Sequence, residues 1–325
     1  TQQLHAAGQS LWLDNITRAI LDDGTLAGYI DRLSVTGLTS NPTIFEHAIG
    51  SGHDYDEAIH DLAAAGASGE ALFFALALDD LVRAADLFRT VHDATGGVDG
   101  WVSLEVSPEL AYDAERTVAA ARDLYRRAGR PNLFIKIPGT PEGLAAIEAA
   151  IFAGVPVNVT LLFSPAQYLA AAEAYLRGIE GRLAAGLSPR VASVASLFVS
   201  RWDVAVAERA PEGLKGALGI AVARRTYRAY RALLGSARWR RLAEQGAGAQ
   251  RLLWASTGTK DPQASDTRYV EALAAPDTVN TVPEQTLLAF ADHGVVGAML
   301  PADGGDADAV LAAFAAAGIH EDALA

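Results

Sequence analysis

Eight short apolar runs alternate with helix-type runs along the whole chain, and this alternation narrows the fold more than any other feature. The apolar runs are SLWLDN (10–15), VTGLTSN (35–41), WVSLEVS (101–107), NLFIKIPG (132–139), PVNVTLLF (156–163), VASVASLFVS (191–200), RLLWASTG (251–258) and DTVNTV (277–282). Apolar residues on both alternating faces mark strands covered on two sides, as parallel strands are. Between them, Ala-, Leu- and Arg-rich stretches at 71–93, 108–128, 141–153, 165–185 and about 211–242 carry helical patterns. A strand–helix unit repeated eight times predicts an all-parallel sheet, and eight strands is the number that closes into a barrel. The expected fold is therefore α/β, a (β/α)8 barrel of the TIM type, with additional helices between 46 and 96 and between 203 and 250.

The junctions support this reading. Ser107-Pro108, Thr140-Pro141, Ser164-Pro165 and Asp261-Pro262 each place a capping side chain before a proline suited to the first helical position. Gly129, Gly154 and Gly186 fall where a left-handed residue would end a helix. No shift in composition and no long linker divides the chain, so residues 1–325 are expected to form one catalytic barrel domain, with the segment after Ala302 as a last, short helix.

Composition excludes several classes. Half of the 325 residues are hydrophobic and 20% are charged, a globular balance. No apolar run reaches bilayer length, and the first residues lack a signal-peptide pattern, so no membrane partner is expected. A net charge of -13 argues against nucleic acid. Without cysteine there are no disulfides, zinc–thiolate sites or cysteine nucleophiles, in keeping with a cytoplasmic enzyme. The seven histidines form no HxH or HExxH pair and the STGTKD loop lacks P-loop glycine spacing, so neither a metal nor another cofactor is expected.

The functional signal lies in the polar residues inside these strands: Asp14, Thr39 with Asn41, Ser103 with Glu105, Lys136, Asn158 with Thr160, Ser196 ahead of Arg201, Ser256, and Asn280. Several keep a spacing of two, so they share one face of their strand. In a closed barrel that face is the interior, and its C-terminal ends converge on one mouth. One shared polar pocket accounts for all of them, whereas a purely structural core would fill these positions with apolar side chains. Lys136 stands out, since lysine is rarely buried without a partner and burial disfavours its charged form. A neutral amine in a dry pocket is what Schiff-base chemistry on a carbonyl requires. Plainer explanations stand beside these: Asp14 as a helix cap, Asn41 before Pro42 as a turn residue, Arg201 as a surface charge, Lys260 as a loop residue.

Six motifs in order then resemble one family. They are GQSLWLDNI, GLTSNPTIFEHAI, NLFIKIPGTPEGLAAI, GVPVNVTLLFSPAQY, ASVASLFVSRWD, and STGTKDP followed by DTVNTVPEQT. Residues 7–290 resemble the transaldolases, in particular their longer bacterial branch. The resemblance implies a (β/α)8 barrel that moves a dihydroxyacetone unit between sugar phosphates in the pentose phosphate pathway. Sedoheptulose 7-phosphate and glyceraldehyde 3-phosphate would give erythrose 4-phosphate and fructose 6-phosphate, without a cofactor. It implies Lys136 as the Schiff-base lysine and Asp14 as acid/base at the donor's C4 hydroxyl. Glu105 and Thr160 would handle the water of the carbinolamine steps. Asn41 and Asn158 would hold the dihydroxyacetone hydroxyls and the imine region. Ser196 would lie near the donor C1, Phe198 would form an aromatic wall, and Arg201 would bind phosphate. Ser256 and Lys260 would add phosphate contacts, although Asp261 stands where the family places asparagine. The competing readings are a class I fructose 6-phosphate aldolase releasing free dihydroxyacetone, a silent barrel used for binding, and the transaldolase part of a fused sugar-phosphate enzyme. Oligomeric state has no signature in the sequence.

Overall fold

In the computed structural model, which describes residues 1–50 and 52–324, eight parallel strands close into a barrel in sequence order. They are β1 (Gln9–Asp14), β2 (Val35–Thr39), β3 (Trp101–Glu105), β4 (Leu133–Pro138), β5 (Val157–Leu162), β6 (Ser193–Phe198), β7 (Gln250–Ala255) and β8 (Thr278–Val282). Each falls within three residues of its apolar run at either end, and the fold is the (β/α)8 barrel that the alternation implies.

The period of two sorts each strand into an outer and an inner row. Outward residues, among them Leu11, Leu13, Leu38, Leu104, Ile135, Ile137, Val157, Val159, Leu252 and Trp254, pack against the helix ring in one large apolar layer. The inner row is apolar chiefly in its middle layer, where Trp12, Trp101, Phe134, Val194, Leu253 and Val279 fill the barrel. Trp101 and Phe134 stack there with ring centroids 4.1 Å apart. Gly37 on β2 makes room for this plug, since a Cβ at that position would lie 2.6 Å from the Trp12 indole. Above the plug the inner row turns polar. Register sets Glu105 beside Lys136, Lys136 beside Asn158, and Asp14 beside Thr39.

Thr140 and Ser164 cap the helices Pro141–Phe152 and Pro165–Ala184 by accepting from Gly143 and Gln167 N–H, as the junctions suggest. Gly129, Gly154 and Gly186 have φ of 58°, 85° and 71°. Three expectations need correction. Ser107-Pro108 opens only a 3-10 turn (Pro108–Leu110), and the α-helix starts at Ala114 because Asp113 takes the Arg116 N–H and outcompetes the earlier cap. Asp261-Pro262 opens no helix. The Asp261 carboxylate instead closes a turn onto Gln263 N–H, and the next helix is Arg268–Ala272. The stretch 211–242 is broken rather than continuous, with a 3-10 turn at Glu212–Leu214 and helices Leu218–Leu234 and Ala237–Glu244. Asp203 accepts from Leu218 and Gly219 N–H, and Ser236 from Trp239 N–H, so each later helix has its own cap. The last α-helix of the described residues is Ala307–Ala316, followed by a 3-10 turn at Glu321–Ala323. Among the described residues no helix is long and apolar enough to cross a membrane.

Candidate active site

The polar layer is built around β4. Lys136 is 7% exposed, and its Nζ donates to the Ser40 carbonyl at 2.9 Å while lying 2.9 Å from Glu105 Oε2. The strand can keep a lysine inside an apolar run because two other strand ends supply acceptors, Glu105 on the adjacent β3 and Ser40 just after β2. Ser40 is pinned in turn, its hydroxyl donating to the Ser103 carbonyl at 2.7 Å. That contact ties the end of β2 to β3 and aims the Ser40 carbonyl at the amine.

Three further side chains form a chain across the barrel past Lys136. Ser196 Oγ donates to Asn158 Oδ1 at 2.7 Å, and Asn158 Nδ2 donates to Ser103 Oγ at 3.1 Å. All three are buried, so the amide is held in one orientation. Thr160, also buried, lies two residues further toward the mouth on the same inner row, level with Pro138.

Asp14 ends β1 at the rim. Thr39 Oγ1 donates to its Oδ1 at 2.8 Å. Burial pushes its carboxyl above the usual aspartate range, the nearby Lys136 cation and the Thr39 hydrogen bond pull it partly back, Glu105 raises it, and Lys260 lowers it. Two carboxylates thus share the pocket in different settings: Glu105 against the lysine, and Asp14 against a hydroxyl.

Other candidates lie further out. Arg201 is exposed on the helix Ser200–Val206, its guanidinium 5.2 Å from the Phe198 ring centroid, and Phe163 stacks obliquely on Phe198. Ser256 adopts a left-handed conformation (φ 55°) just after β7 and its hydroxyl meets Ser200 Oγ at 2.9 Å. Ser256 therefore belongs to the mouth rather than to the inner row. Lys260 is exposed in the following loop. Asn41 is a cap as well as a rim residue, because its Oδ1 accepts from Ile44 N–H at 3.0 Å.

Asn280 does not face the pocket. Its Oδ1 accepts from Thr257 Oγ1 at 2.9 Å, and β8 turns Val279 and Thr281 inward instead. Thr281 Oγ1 meets Thr39 Oγ1 at 2.6 Å, which brings it into the site. Sequence reasoning missed both Thr281 and Ser40. Alternation within TVNTV has two possible phases, and the Ser40 contact runs through a backbone carbonyl. Among the described residues no group of three or more His, Asp or Glu side chains is placed to hold a metal ion.

Comparison with known proteins gives the family. The sequence model of the transaldolase/fructose-6-phosphate aldolase family matches residues 11–325. The chain belongs to this family. Relatives within it include the transaldolase of Saccharopolyspora erythraea, 48% identical over 99% of this chain and 89% of that protein. The transaldolase of a Parafrankia strain is 50% identical over 97% of this chain and 88% of its own. That of Thermobifida fusca is 48% identical over 99% and 88%. In this transaldolase-family barrel the polar row rises toward the C-terminal strand ends, the end on which such barrels carry their chemistry.

Proposed function

We propose that the protein is a transaldolase, a transferase of ketone-bearing units that moves dihydroxyacetone from a ketose phosphate to an aldose phosphate through a Schiff base on Lys136. The observation that carries this reading is a buried amine lying 2.9 Å from both a carboxylate and a carbonyl inside the barrel. Glu105 accepts the ammonium proton, and the free amine attacks the C2 carbonyl of the donor. Glu105 and Thr160 then manage the water that leaves the carbinolamine, giving an iminium that serves as an electron sink. Asp14 takes the proton of the C4 hydroxyl. The C4–O electron pair becomes a carbonyl, the C3–C4 bond breaks, and its electrons flow into the iminium as an enamine.

The aldose leaves while three carbons stay bound. Asn158, fixed between Ser196 and Ser103, and Asn41 hold the hydroxyls of this fragment, and the enclosed barrel slows its hydrolysis. An incoming aldehyde phosphate reverses the steps, with Asp14 returning the proton. A carboxyl raised by burial holds a proton more readily than a free aspartate, which suits a group that takes a proton and gives it back. Arg201, stacked on Phe198, receives the phosphate, with Ser256 and Lys260 beside it. Sugar phosphates are the partners in this reading, and the pentose phosphate pathway and cytoplasm its setting.

Incubation with fructose 6-phosphate and borohydride, followed by peptide mass mapping, tests it. A three-carbon adduct on Lys136 is expected, and an adduct on any other lysine overturns the assignment. Turnover of fructose 6-phosphate without reductant, with and without an aldehyde phosphate, distinguishes transfer from aldol release. Transfer needs the acceptor for turnover, whereas an aldolase sheds free dihydroxyacetone without it.

A further inference from the structure

The carboxylate at the end of β1 has a hydroxyl partner that itself has a second hydroxyl partner. Thr39 Oγ1 lies 2.8 Å from Asp14 Oδ1 and 2.6 Å from Thr281 Oγ1. Strand β1 runs between β2 and β8, so the contact between the two threonines ties both neighbours together across the inner face of the strand that ends in Asp14. Both threonines are 3% exposed, which leaves little room for water to replace either hydroxyl.

Counting hydrogens gives the chain a direction. A threonine hydroxyl has one proton and two lone pairs. Thr39 faces two acceptors, a carboxylate oxygen and a hydroxyl oxygen, and the charge-assisted bond is the stronger. Its proton therefore goes to Asp14, and the short contact with Thr281 is made by the Thr281 proton. The order is Thr281 to Thr39 to Asp14 Oδ1. Oδ1 is then engaged as an acceptor, and the proton exchanged with substrate travels on Oδ2.

Resting on the reading of Asp14 given above, we infer that Thr39 and Thr281 are positioning residues for the bond-breaking step, a two-hydroxyl relay that holds Asp14 Oδ1 as acceptor and leaves Oδ2 to carry the substrate proton. The charged groups facing Asp14 are Lys136 on β4, Glu105 on β3 and Lys260 in the loop after β7, and none of them contributes a hydroxyl to this chain. Thr39 acts on Asp14 directly. Thr281 acts through Thr39, by polarising its hydroxyl and fixing its rotor.

The test uses Thr39→Val, Thr281→Val and the corresponding Thr39→Ser and Thr281→Ser, each measured for kcat and KM across pH with fructose 6-phosphate and an aldose phosphate. Loss of a hydrogen bond to a charged group predicts about a ten- to hundredfold fall in kcat for Thr39→Val with KM little changed. Thr281→Val should fall about three- to tenfold, in the same direction but less, because only the indirect contact is lost. The Thr39 bond favours the carboxylate, so removing it moves the acid limb of the kcat profile to higher pH. The serine variants keep the hydroxyl and should restore both rate and profile. Borohydride trapping adds a second readout: slower C3–C4 cleavage raises the share of uncleaved six-carbon adduct on Lys136 relative to the three-carbon one.

Unmoved acid limbs and adduct ratios in both valine variants overturn the relay, as does an equal loss in the serine variants. Should Thr39→Val fail to fold, Thr281→Val decides alone by the same criteria. Absence of any adduct on Lys136 in the unaltered enzyme overturns the function reading instead, so the two failures are distinguishable.

Discussion

At the N-terminal mouth of the barrel, the Arg251 guanidinium donates to Asp99 Oδ1 and the Val98 carbonyl, both at 3.1 Å, and to Ser10 Oγ and the Thr278 carbonyl at 2.5 and 2.9 Å. Asp99 is closed in the same way, accepting from Ser10 Oγ at 2.6 Å and from Trp12 Nε1 at 3.2 Å. At the C-terminal mouth Lys136 offers three N–H groups, and the described residues supply two acceptors, Ser40 O and Glu105. The lower pair is a finished structural network that seals the end of the aromatic plug. The upper one keeps a valence in hand and sets a carboxylate where a proton can move. The N-terminal mouth also opens on a cavity of about 1180 Å³, which none of the candidate site residues lines. Incomplete pairing of buried charge, more than concavity, marks the reactive end.

The comparison breaks first at Lys136. Lys136→Arg keeps a positive charge at the site, yet a guanidinium stays protonated and forms no imine. Borohydride trapping should vanish and turnover should fall by about four orders of magnitude or more. Retained trapping would show that charge rather than a nucleophilic amine is what the upper mouth needs.

Removing the lower carboxylate should strike stability instead. Asp99→Ala leaves Arg251 without its counter-ion and should lower the unfolding free energy by about 3–5 kcal/mol in urea titrations, with KM for sugar phosphates little changed in the folded fraction. A variant of unaltered stability would mean that the lower network is dispensable and the contrast between the mouths is wrong.

Arg201→Ala addresses the rim. Loss of a charge-assisted contact of about 1.5–3 kcal/mol implies a ten- to hundredfold fall in kcat/KM for fructose 6-phosphate, seen chiefly as a higher KM. Unphosphorylated fructose should be affected much less. An equal loss with both sugars would remove Arg201 from phosphate recognition.

The smallest expected effect concerns the cost of the site itself. Burial raises the Asp14 carboxyl, so the folded state binds its proton more tightly than the unfolded chain does. The stability that this protonated group contributes is fully present below the unfolded aspartate value and is lost as pH rises through the folded one. Asp14→Asn copies the protonated form and should add about 0.5–2 kcal/mol at neutral pH. The gain should shrink toward zero as pH falls below the ordinary aspartate range. Parallel unfolding curves at neutral and acidic pH check this, and a gain independent of pH would point to packing rather than to the buried charge.

The eight strands and their order were legible because each is apolar on both faces and bounded by turn residues, a pattern that needs no tertiary information. Lys136, Glu105 and Asn158 were legible for the converse reason, as polar residues inside such runs. Helix starts were less so. Ser107-Pro108 and Asp261-Pro262 have the composition of caps, but Asp113 and the Asp261 turn won locally by taking nearby N–H groups. A cap motif says that an N–H can be satisfied, not which competing side chain satisfies it.

Tertiary structure alone decided three things. The phase of β8 put Thr281 inside and Asn280 outside, because a shift of one residue exchanges the faces of a strand and TVNTV is compatible with either. The contact of Lys136 with Ser40 runs through a main-chain carbonyl, a group identical at every residue and therefore absent from any side-chain motif. The assignment of Arg251 with Asp99 to the closed end, and of Lys136 with Glu105 to the open one, depends on which neighbours remain to complete the pairing. That count exists only once the barrel has brought distant strand ends together. The sequence by itself determined which residues could be reactive, since residue type and strand period are local. The closed barrel determined which of them share one pocket.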